Sequence, residues 1–173
     1  EKYNHTSYEW NDNSNGFIFS SNYKEDWEYD FRNSELYSIS YDGTNLKQLT
    51  DRKGPDYGAV LSPDGNLIAY LGYDDKIQTY QTTNLYLMDI NGGNKREIKT
   101  NLDRSISSLE WSKDGKRLYF MYDDEGNTKV ASTSLYGNIK NLVDNVGGTT
   151  IGRPYGGGSY SVSTKDIIVF TLT

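Results

Sequence analysis

The stretch SPDGNLIAYL, residues 62–71, joins a turn signal to a continuous apolar run. It recurs as SKDG at 112–115, 50 residues further on, followed by the apolar run LYFMY at 118–122. Asp-Gly pairs supply the backbone with positive φ that tight hairpin turns require. The stretch therefore predicts a turn followed by a buried strand, and its recurrence predicts that the chain is built from repeats.

Weaker copies of the same stretch lie at both ends of the chain, as SNG at 14–16 before FIF and as STKD at 163–166 before IIVF. A second series of turn glycines runs in step with it, because Gly43, Gly92 and Gly137 lie 49 and 45 residues apart. Each of these glycines follows another short β-prone run. Two series with one period predict a repeat of about 50 residues.

Four short strands can be assigned to each repeat, as at 58–62, 66–73, 84–90 and 95–99. The second strand is apolar on both faces, so it must lie between two other sheets. Four-stranded antiparallel units of roughly 40–50 residues, stacked face to face, are typical of β-propeller blades. A two-sheet sandwich is the alternative, but it does not require a 50-residue period. The predicted fold is all-β, a partial β-propeller of about three and a half blades, at about 8–50, 58–100, 107–144 and, for the half blade, 158–173.

The amino-acid composition favours β-strands and excludes several classes of function. The 173 residues include 16 Tyr and 17 Gly but only 3 Pro, a bias that favours strands and tight turns. The net charge of −6 argues against a nucleic-acid-binding protein, which needs a basic surface. No window approaches the roughly 18 apolar residues of a membrane helix, so we expect a soluble protein without membrane contact. The lack of cysteine excludes disulfides and thiolate metal sites.

The start of the chain and its length suggest a piece of something larger. It begins at Glu1 without a methionine or a signal-like apolar run. Three and a half blades do not close a ring, so we expect a segment of a larger propeller protein. The absence of cysteine fits the cytoplasm as well as the periplasm or a secreted location, and the compartment stays open.

The stretch at 62–70 resembles the blade signature of TolB-type propellers and of the propeller in prolyl-oligopeptidase-family serine peptidases. Four further stretches resemble the middle blades of the acylaminoacyl-peptidase and dipeptidyl-peptidase-like branch: EDWEYD at 25–30, YLGY at 70–73, LDRSIS at 102–107 and DDEGNT at 123–128. The resemblance covers nearly the whole chain. It implies a propeller of about seven or eight blades that caps an α/β-hydrolase domain and restricts access to its serine.

This chain lacks what the hydrolase domain of that family would supply. A nucleophile elbow needs Gly-x-Ser-x-Gly, and GGSYS at 157–161 lacks the last glycine. His5 is the only histidine, so a Ser-His-Asp triad is not expected, and we predict no catalytic residue here. The glycines match neither a dinucleotide fingerprint nor a phosphate loop, so no cofactor is expected.

Long loops are predicted at one end of the blades, at 22–34, 74–83, 101–107 and 145–158, and rigid scaffolds usually display function on such loops. Carboxylates beside aromatic rings could hold a peptide's ammonium group. The candidate substrate-facing or partner-facing residues are Glu25, Trp27, Glu28, Tyr29, Asp103, Arg104, Arg153 and Tyr155.

Each candidate has a purely structural alternative. Trp27, Tyr29 and Phe31 would pack their loop down while the acids stay solvated, Asp103 and Arg104 would form a local ion pair, and the stretch around Arg153 would be a flexible connection between blades. The acidic stretch at 123–127 lacks the ligand order of a calcium loop, so we expect a solvated hairpin tip and no metal site. Trp10 and Trp111 each close a first strand and are predicted to lie in the core.

The leading hypothesis is a non-catalytic propeller segment of a serine peptidase that gates and lines the substrate chamber. Its partners would be the missing blades and the α/β-hydrolase domain of the parent, with a peptide as substrate. The first alternative is a TolB-like propeller that acts as a protein-interaction or ligand-binding scaffold. A third possibility is that the segment assembles with another copy of itself into a ring, which a monomer in sedimentation would exclude.

Overall fold

A computed structural model describes residues 5–11, 15–150, 153–156 and 158–172, with only the backbone described for 149–150 and 153–156. Three four-stranded antiparallel sheets, each in simple chain order, account for twelve strands. Sheet 1 contains β1 His5–Trp10, β2 Gly16–Ser21, β3 Glu35–Ser40 and β4 Lys47–Gln48. Sheet 2 contains β5 Asp56–Leu61, β6 Leu67–Gly72, β7 Asn84–Asp89 and β8 Arg96–Glu97. Sheet 3 contains β9 Ile106–Trp111, β10 Arg117–Asp124, β11 Asn127–Ser134 and β12 Ile139–Val146.

Two short hairpins follow the third sheet. They are formed by β13 Gly148–Thr150 with β14 Arg153–Gly156, and by β15 Tyr160–Val162 with β16 Ile168–Phe170. The chain divides into two compact units, Glu1–Ile98 with sheets 1 and 2, and Lys99–Thr173 with sheet 3 and both hairpins. Among the described residues, no helix has the length and apolar character needed to cross a membrane.

The turn after each first strand is fixed by one serine. The Ser62 hydroxyl donates to Asp64 at 2.6 Å and accepts from the Leu67 amide at 2.9 Å, while Gly65 takes a φ of 72°. Ser112 makes the same pair of bonds with Asp114 and Arg117, at 2.7 and 3.0 Å. These contacts confirm that the two stretches are copies of one structural unit.

The two weaker copies build the same turn with other residues. Ser163 accepts from the Ile167 amide at 3.0 Å, and Asp166 takes the positive φ of 55° that glycine adopts in the stronger copies. At the start of the chain, Asn11 and not Ser14 holds the position that Ser62 holds in the stronger copy. The backbone amide of Asn11 donates to the Gly16 carbonyl at 3.0 Å, as the backbone amide of Ser62 donates to the Leu67 carbonyl. Residues 12–14 lie outside the described part of the chain.

Sheets 1 and 2 pack face to face through one apolar cluster. Ile18 and Leu36 of sheet 1 and Ile68, Tyr70 and Met88 of sheet 2 are all buried in it. The second strand of sheet 2 is buried along both faces, as its unbroken apolar run predicts. This packing brings the linker at 49–55, which joins the two sheets, against the ends of both.

Two differences from the sequence prediction concern the first strand and the glycine-rich stretch. Trp10 is 62% exposed and contacts Phe17 edge-on with ring centroids 5.9 Å apart, so its prediction as a core residue is wrong. The physical reason is that no described element covers that part of sheet 1. The stretch at 145–158, predicted as a loop, includes the β13–β14 hairpin.

Candidate binding site at the long-loop end of sheets 1 and 2

Equivalent rows of residues cross sheets 1 and 2 at the end where the second strand leads into the long loop. In sheet 1 the row is His5, Ser21 and Glu35, because His5 pairs with Ser21 and Ser21 pairs with Glu35. In sheet 2 the same registers align Asp56, Gly72 and Asn84. One stacked aromatic pair lies two residues further into each sheet. The pairs are Phe19 with Tyr37, 5.8 Å apart, and Tyr70 with Tyr86, 5.4 Å apart.

Arg52 of the linker fills the site at the sheet 2 row. Its guanidinium donates to the buried Asp56 carboxylate and lies 3.7 Å from the centroid of the Tyr86 ring. A weaker ion pair reaches Asp74 at 3.7 Å. Burial raises the pKa of Asp56, which the Arg52 guanidinium opposes, and burial raises the pKa of Tyr70. Paired and stacked in this way, the arginine can be buried without leaving an uncompensated charge.

Gly72 is required for this arrangement because the arginine and its partner occupy the space of a side chain. A Cβ at Gly72 would meet the Asp56 carboxylate, the Pro55 carbonyl at 2.5 Å and the Arg52 guanidinium at 2.7 Å. No rotamer change of another residue would remove the clash with the Pro55 backbone. The glycine in YLGY, residues 70–73, therefore has a packing reason.

A cavity of about 430 Å³ lies beside the sheet 1 row. Glu35, which is only 6% exposed, lines it and accepts a hydrogen bond from the Thr50 hydroxyl at 2.6 Å. Burial, opposed by the Thr50 bond, raises the pKa of Glu35 to about 7. This carboxyl is thus the most strongly perturbed acid of the cavity, and perturbed groups in clefts are candidates for function.

Two tyrosines form an aromatic wall of the same cavity. Tyr23 and Tyr37 meet edge to face with ring centroids 4.8 Å apart. Burial raises the pKa of Tyr37 to about 12, so its hydroxyl is neutral near physiological pH. A tyrosine wall beside a buried carboxylate suits an organic cation better than a metal ion, since the rings offer a π-face and the carboxylate a hydrogen-bond acceptor.

The cationic side chains that also line the cavity mostly have carboxylate partners of their own. Lys24 pairs with Asp30 at 2.9 Å, which lowers the pKa of Asp30, and Arg52 pairs with Asp56. Lys53 completes the basic lining. The cavity therefore combines a buried acid with basic groups, an arrangement that suits a peptide or amino-acid group rather than a simple anion.

The predicted loop residues lie close to this cavity in sequence but outside its lining. Glu25, Glu28 and Tyr29 are exposed and Trp27 is half-buried. The loop is organised around Asp30, whose carbonyl accepts from the Asn22 amide group at 3.0 Å. Tyr29 is 88% exposed and Phe31 74%, so the alternative in which these two rings pack the loop down is wrong.

In the second unit, Arg104 pairs mainly with a residue other than Asp103. Two guanidinium nitrogens reach one Asp124 oxygen at 3.0 and 3.1 Å, whereas the ion pair with the exposed Asp103 is 3.6 Å long. Lys129 also binds Asp124, at 3.0 Å. Asp124 is therefore committed to two cations, and no cluster of three or more potential metal ligands occurs in the part of the chain that the structure describes.

The backbones of Arg153 and Tyr155 lie in β14, and their side chains fall outside the described residues.

Glu35, Arg52 and Asp56 were missed by sequence reasoning. Arg52 and Asp56 belong to the stretch DRKGPD at 51–56, whose composition is typical of a turn. Glu35 is the first residue of a strand. The available signal was the aromatic series, since Phe19 and Tyr70 lie 51 residues apart and Tyr37 and Tyr86 49 apart. That series marks equivalent places in two blades, and the polar residues next to it differ between the blades.

The comparisons with known proteins agree with the fold and with the sequence resemblance. No protein-family model matches the chain. The chain is 29% identical over 109 residues to a probable dipeptidyl-peptidase 5 from Arthroderma benhamiae, a match that covers 56% of this chain and 15% of that relative.

Two solved structures are similar in fold. A puromycin-hydrolyzing peptidase from Mycobacterium tuberculosis has a TM-score of 0.70 at 13% identity, with 98% of this chain and 28% of that chain covered. TolB from Acinetobacter baumannii has a TM-score of 0.62 at 19% identity, with 82% and 32% covered. These matches confirm the all-β, partial β-propeller fold and the resemblance to peptidases and TolB. Sheets 1 to 3 are its blades.

Proposed function

We propose that this chain is a non-catalytic propeller segment of a longer serine peptidase of the prolyl-oligopeptidase family, in which it lines and gates the substrate chamber. The observation that carries the proposal is the sequence similarity to a dipeptidyl peptidase over 56% of a chain whose fold is that of a propeller. Because the match spans 15% of that relative, the remaining blades and a hydrolase domain would be supplied by the rest of the parent protein.

The proposal assigns hydrolysis to residues outside this chain. The row of His5, Ser21 and Glu35 contains the three side-chain types of a triad, but serine stands in the middle of the row. In a triad the histidine lies between the nucleophile and the acid, so that it can take the proton from one and be oriented by the other. His5 Nδ1 and Ser21 Oγ are both buried without a hydrogen-bond partner among the described residues. This row is therefore not assigned a catalytic role.

Peptide contact is proposed at the long-loop end of the blades. The exposed acids Glu25 and Glu28 and the ring of Tyr29 would meet a peptide at the chamber wall, and half-buried Trp27 would support them. In the second unit, Asp103, Arg104, Arg153 and Tyr155 are proposed separately as residues that contact a peptide or partner. A wall of carboxylates and rings attracts the ammonium end of a peptide.

The sequence of the parent gene and labelling of its product test this proposal. We expect a Gly-x-Ser-x-Gly elbow in the parent, followed by an acid and a histidine, and labelling of that serine by a fluorophosphonate. The full-length protein should hydrolyse short peptides and leave folded proteins intact. A parent without such an elbow would refute the proposal.

The second candidate function is a TolB-like scaffold for protein interaction, which the structural similarity to TolB favours. The two candidates differ in one measurable respect. A parent that lacks hydrolase activity, and that retains a stable protein partner through the long-loop end, would support the scaffold. Charge-reversed variants at Glu25 and Glu28 should then release the partner.

A further inference from the structure

We infer that the two long loops of sheets 1 and 2 form one surface that binds a basic, apolar segment of a partner polypeptide. The first long loop, at 22–34, joins β2 to β3, and the second long loop, at 73–83, joins β6 to β7. The inference rests on the proposed peptide contact at this end of the blades and adds to it the second loop and the chemistry of the partner.

Each loop presents two large apolar side chains to solvent. Tyr29 and Phe31 of the first loop are 88% and 74% exposed, and Ile77 and Tyr80 of the second loop are 76% and 68% exposed. Single exposed apolar residues are common on protein surfaces, whereas several at one place mark a site of interaction. The four side chains therefore matter if the two loops lie side by side.

The linker between the two sheets holds the loops together at their bases. The Gly54 amide donates to the side-chain oxygen of Asn33, near the end of the first loop, at 3.2 Å. The carbonyl of the preceding residue, Lys53, accepts from the Asp75 amide of the second loop at 2.8 Å. Two adjacent linker residues thus bind one loop each, which places the loops side by side.

Gly54 shows how closely the linker and the second loop approach. It has a φ of 139°, and a Cβ there would come within 2.9 Å of the Asp75 amide nitrogen and still closer to the Tyr73 carbonyl oxygen. Phe31 and Ile77 each lie two positions from a residue that is bound to this linker. The apolar side chains of the two loops therefore extend from neighbouring points of the backbone.

Arg32 of the first loop also acts on the second loop. Its guanidinium lies 5.6 Å from the centroid of the Phe31 ring. A hydrogen bond from Gln81 and, more weakly, the charge of Arg32 lower the pKa of Asp75. The first loop thus stabilises the carboxylate around which the second loop is built.

Three hydrogen bonds fix the shape of the second loop. The Gln81 side chain accepts from the Lys76 amide at 2.6 Å and donates to the Asp75 carboxylate at 2.8 Å. The same carboxylate accepts from the Ile77 amide at 2.9 Å. These bonds hold Ile77 at a φ of 57°, which is unusual for a β-branched residue and strains its backbone. Strain of this kind is concentrated at functional sites, and here it holds an exposed apolar side chain in one place.

The charge of the two loops selects a basic partner. Together they contain six carboxylates and three basic side chains, a net charge of −3. Glu25, Asp26 and Glu28 are exposed beside Tyr29, and none of them forms an ion pair with another described residue. A segment that combines lysine or arginine with apolar side chains could pair with these acids and cover the four exposed side chains. A second copy of this chain would bring a further charge of −3 to the surface, so self-association is disfavoured.

The test uses three capped heptapeptides, which alternate lysine with leucine, lysine with serine, and glutamate with leucine. Each would be titrated into the full chain, with binding followed by amide chemical shifts in NMR. We expect saturable shifts at both 25–31 and 76–81 with the lysine–leucine peptide, binding of the lysine–serine peptide weaker by about tenfold, and no saturable shift with the glutamate–leucine peptide. Equal binding of the first two peptides, or no saturable shift with the lysine–leucine peptide, would overturn the inference.

Variants of the second loop separate the inference from the proposed function. Ile77→Asn places a residue that tolerates positive φ at the strained position, and Tyr80→Ser removes the exposed ring; each should weaken the lysine–leucine peptide by roughly threefold. Tyr136→Ser removes a ring that is 87% exposed in the second unit and should leave binding unaltered.

Binding that involves 25–31 alone and is unchanged in Ile77→Asn and Tyr80→Ser would overturn the inference and leave the proposed peptide contact standing. Labelling of a serine in the parent decides the peptidase function independently of these peptides. Sedimentation of the wild type should show a monomer, and a dimer that Ile77→Asn dissociates would overturn the polypeptide partner in favour of a second copy.

Discussion

The carboxylate of Glu110 in β9 accepts a hydrogen bond from the backbone amide of Val162 in β15 at 2.9 Å, 52 residues further along the chain. The same contact occurs in the first unit, where Glu9 of β1 accepts from the Leu61 amide of β5 at 3.5 Å, also 52 residues away. Burial raises the pKa of both glutamates. In each unit, a glutamate on the first strand of one sheet thus accepts a hydrogen bond from the first strand of the sheet that follows it in the chain.

Removal of this contact should destabilise the second unit. Glu110→Ala leaves the Val162 amide without its acceptor, so we expect a loss of about 1 kcal/mol in the free energy of unfolding, measured with urea. Glu110→Gln keeps an acceptor oxygen and should remain close to the wild type. A fully stable Glu110→Ala protein would show that water replaces the carboxylate at no cost.

Glu35 should make stability depend on pH in a definite direction. Its pKa rises from 4.5 in the unfolded chain to about 7 in the folded protein, so the folded state holds this proton more tightly. The contribution of Glu35 to the free energy of unfolding should therefore be fully present below about pH 4.5. It should decrease as the pH rises to about 7 and stay constant above that pH, with a total loss on the order of 3 kcal/mol. The measurement is the difference in unfolding free energy between wild type and Glu35→Gln across this range.

Because Glu9, Glu110 and Asp56 also have raised pKa values, the pH profile of the wild type alone would not isolate Glu35. The difference from Glu35→Gln cancels the contributions of Glu9 and Glu110, and it reports Glu35 together with its electrostatic interaction with Asp56, whose charge adds to burial in raising the pKa of Glu35. If the two proteins respond identically to pH, Glu35 is not buried in the way described.

Gly72 and Ser21 should respond in opposite ways to alanine although they hold equivalent places in two sheets. Gly72→Ala drives a methyl group into the Pro55 carbonyl and the Arg52 guanidinium, so we expect a loss of at least about 2 kcal/mol. Ser21→Ala removes a buried hydroxyl without a described partner and should be neutral or slightly stabilising. Thermal unfolding of both variants is the measurement, and equal losses would contradict the assigned roles.

Gly115 should tolerate asparagine better than alanine. Its φ is 67°, a conformation that costs alanine about 1 kcal/mol and asparagine less, and the fourth copy of the turn places Asp166 at a φ of 55°. Urea unfolding of Gly115→Ala and Gly115→Asn checks this expectation. Equal stability of the two variants would mean that the turn relaxes to a negative φ.

The long-range architecture was largely predictable because it depends on local signals. The serine, aspartate and glycine at 62–65 and 112–115 form turns through bonds between residues at most five positions apart. A turn of this kind forms wherever its own residues stand, and the apolar run after it can be buried only between two sheets. Turn position, strand order and blade repeat therefore follow from the printed sequence.

The site depended on contacts that no local pattern contains. Arg52 contacts Tyr86, 34 residues further along the chain, because sheet 2 packs against sheet 1 and the linker between them lies at the end of sheet 2. Glu35 reads as an ordinary strand residue, and only the packing of Thr50 and Tyr37 around it removes water and raises its pKa. The acids at 25–28 are the stronger functional candidates in the sequence, but their side chains are exposed and therefore stay hydrated. Sequence determined the blades, and tertiary packing decided which carboxylate is buried beside a cavity, because desolvation is a property of the surroundings and not of the residue.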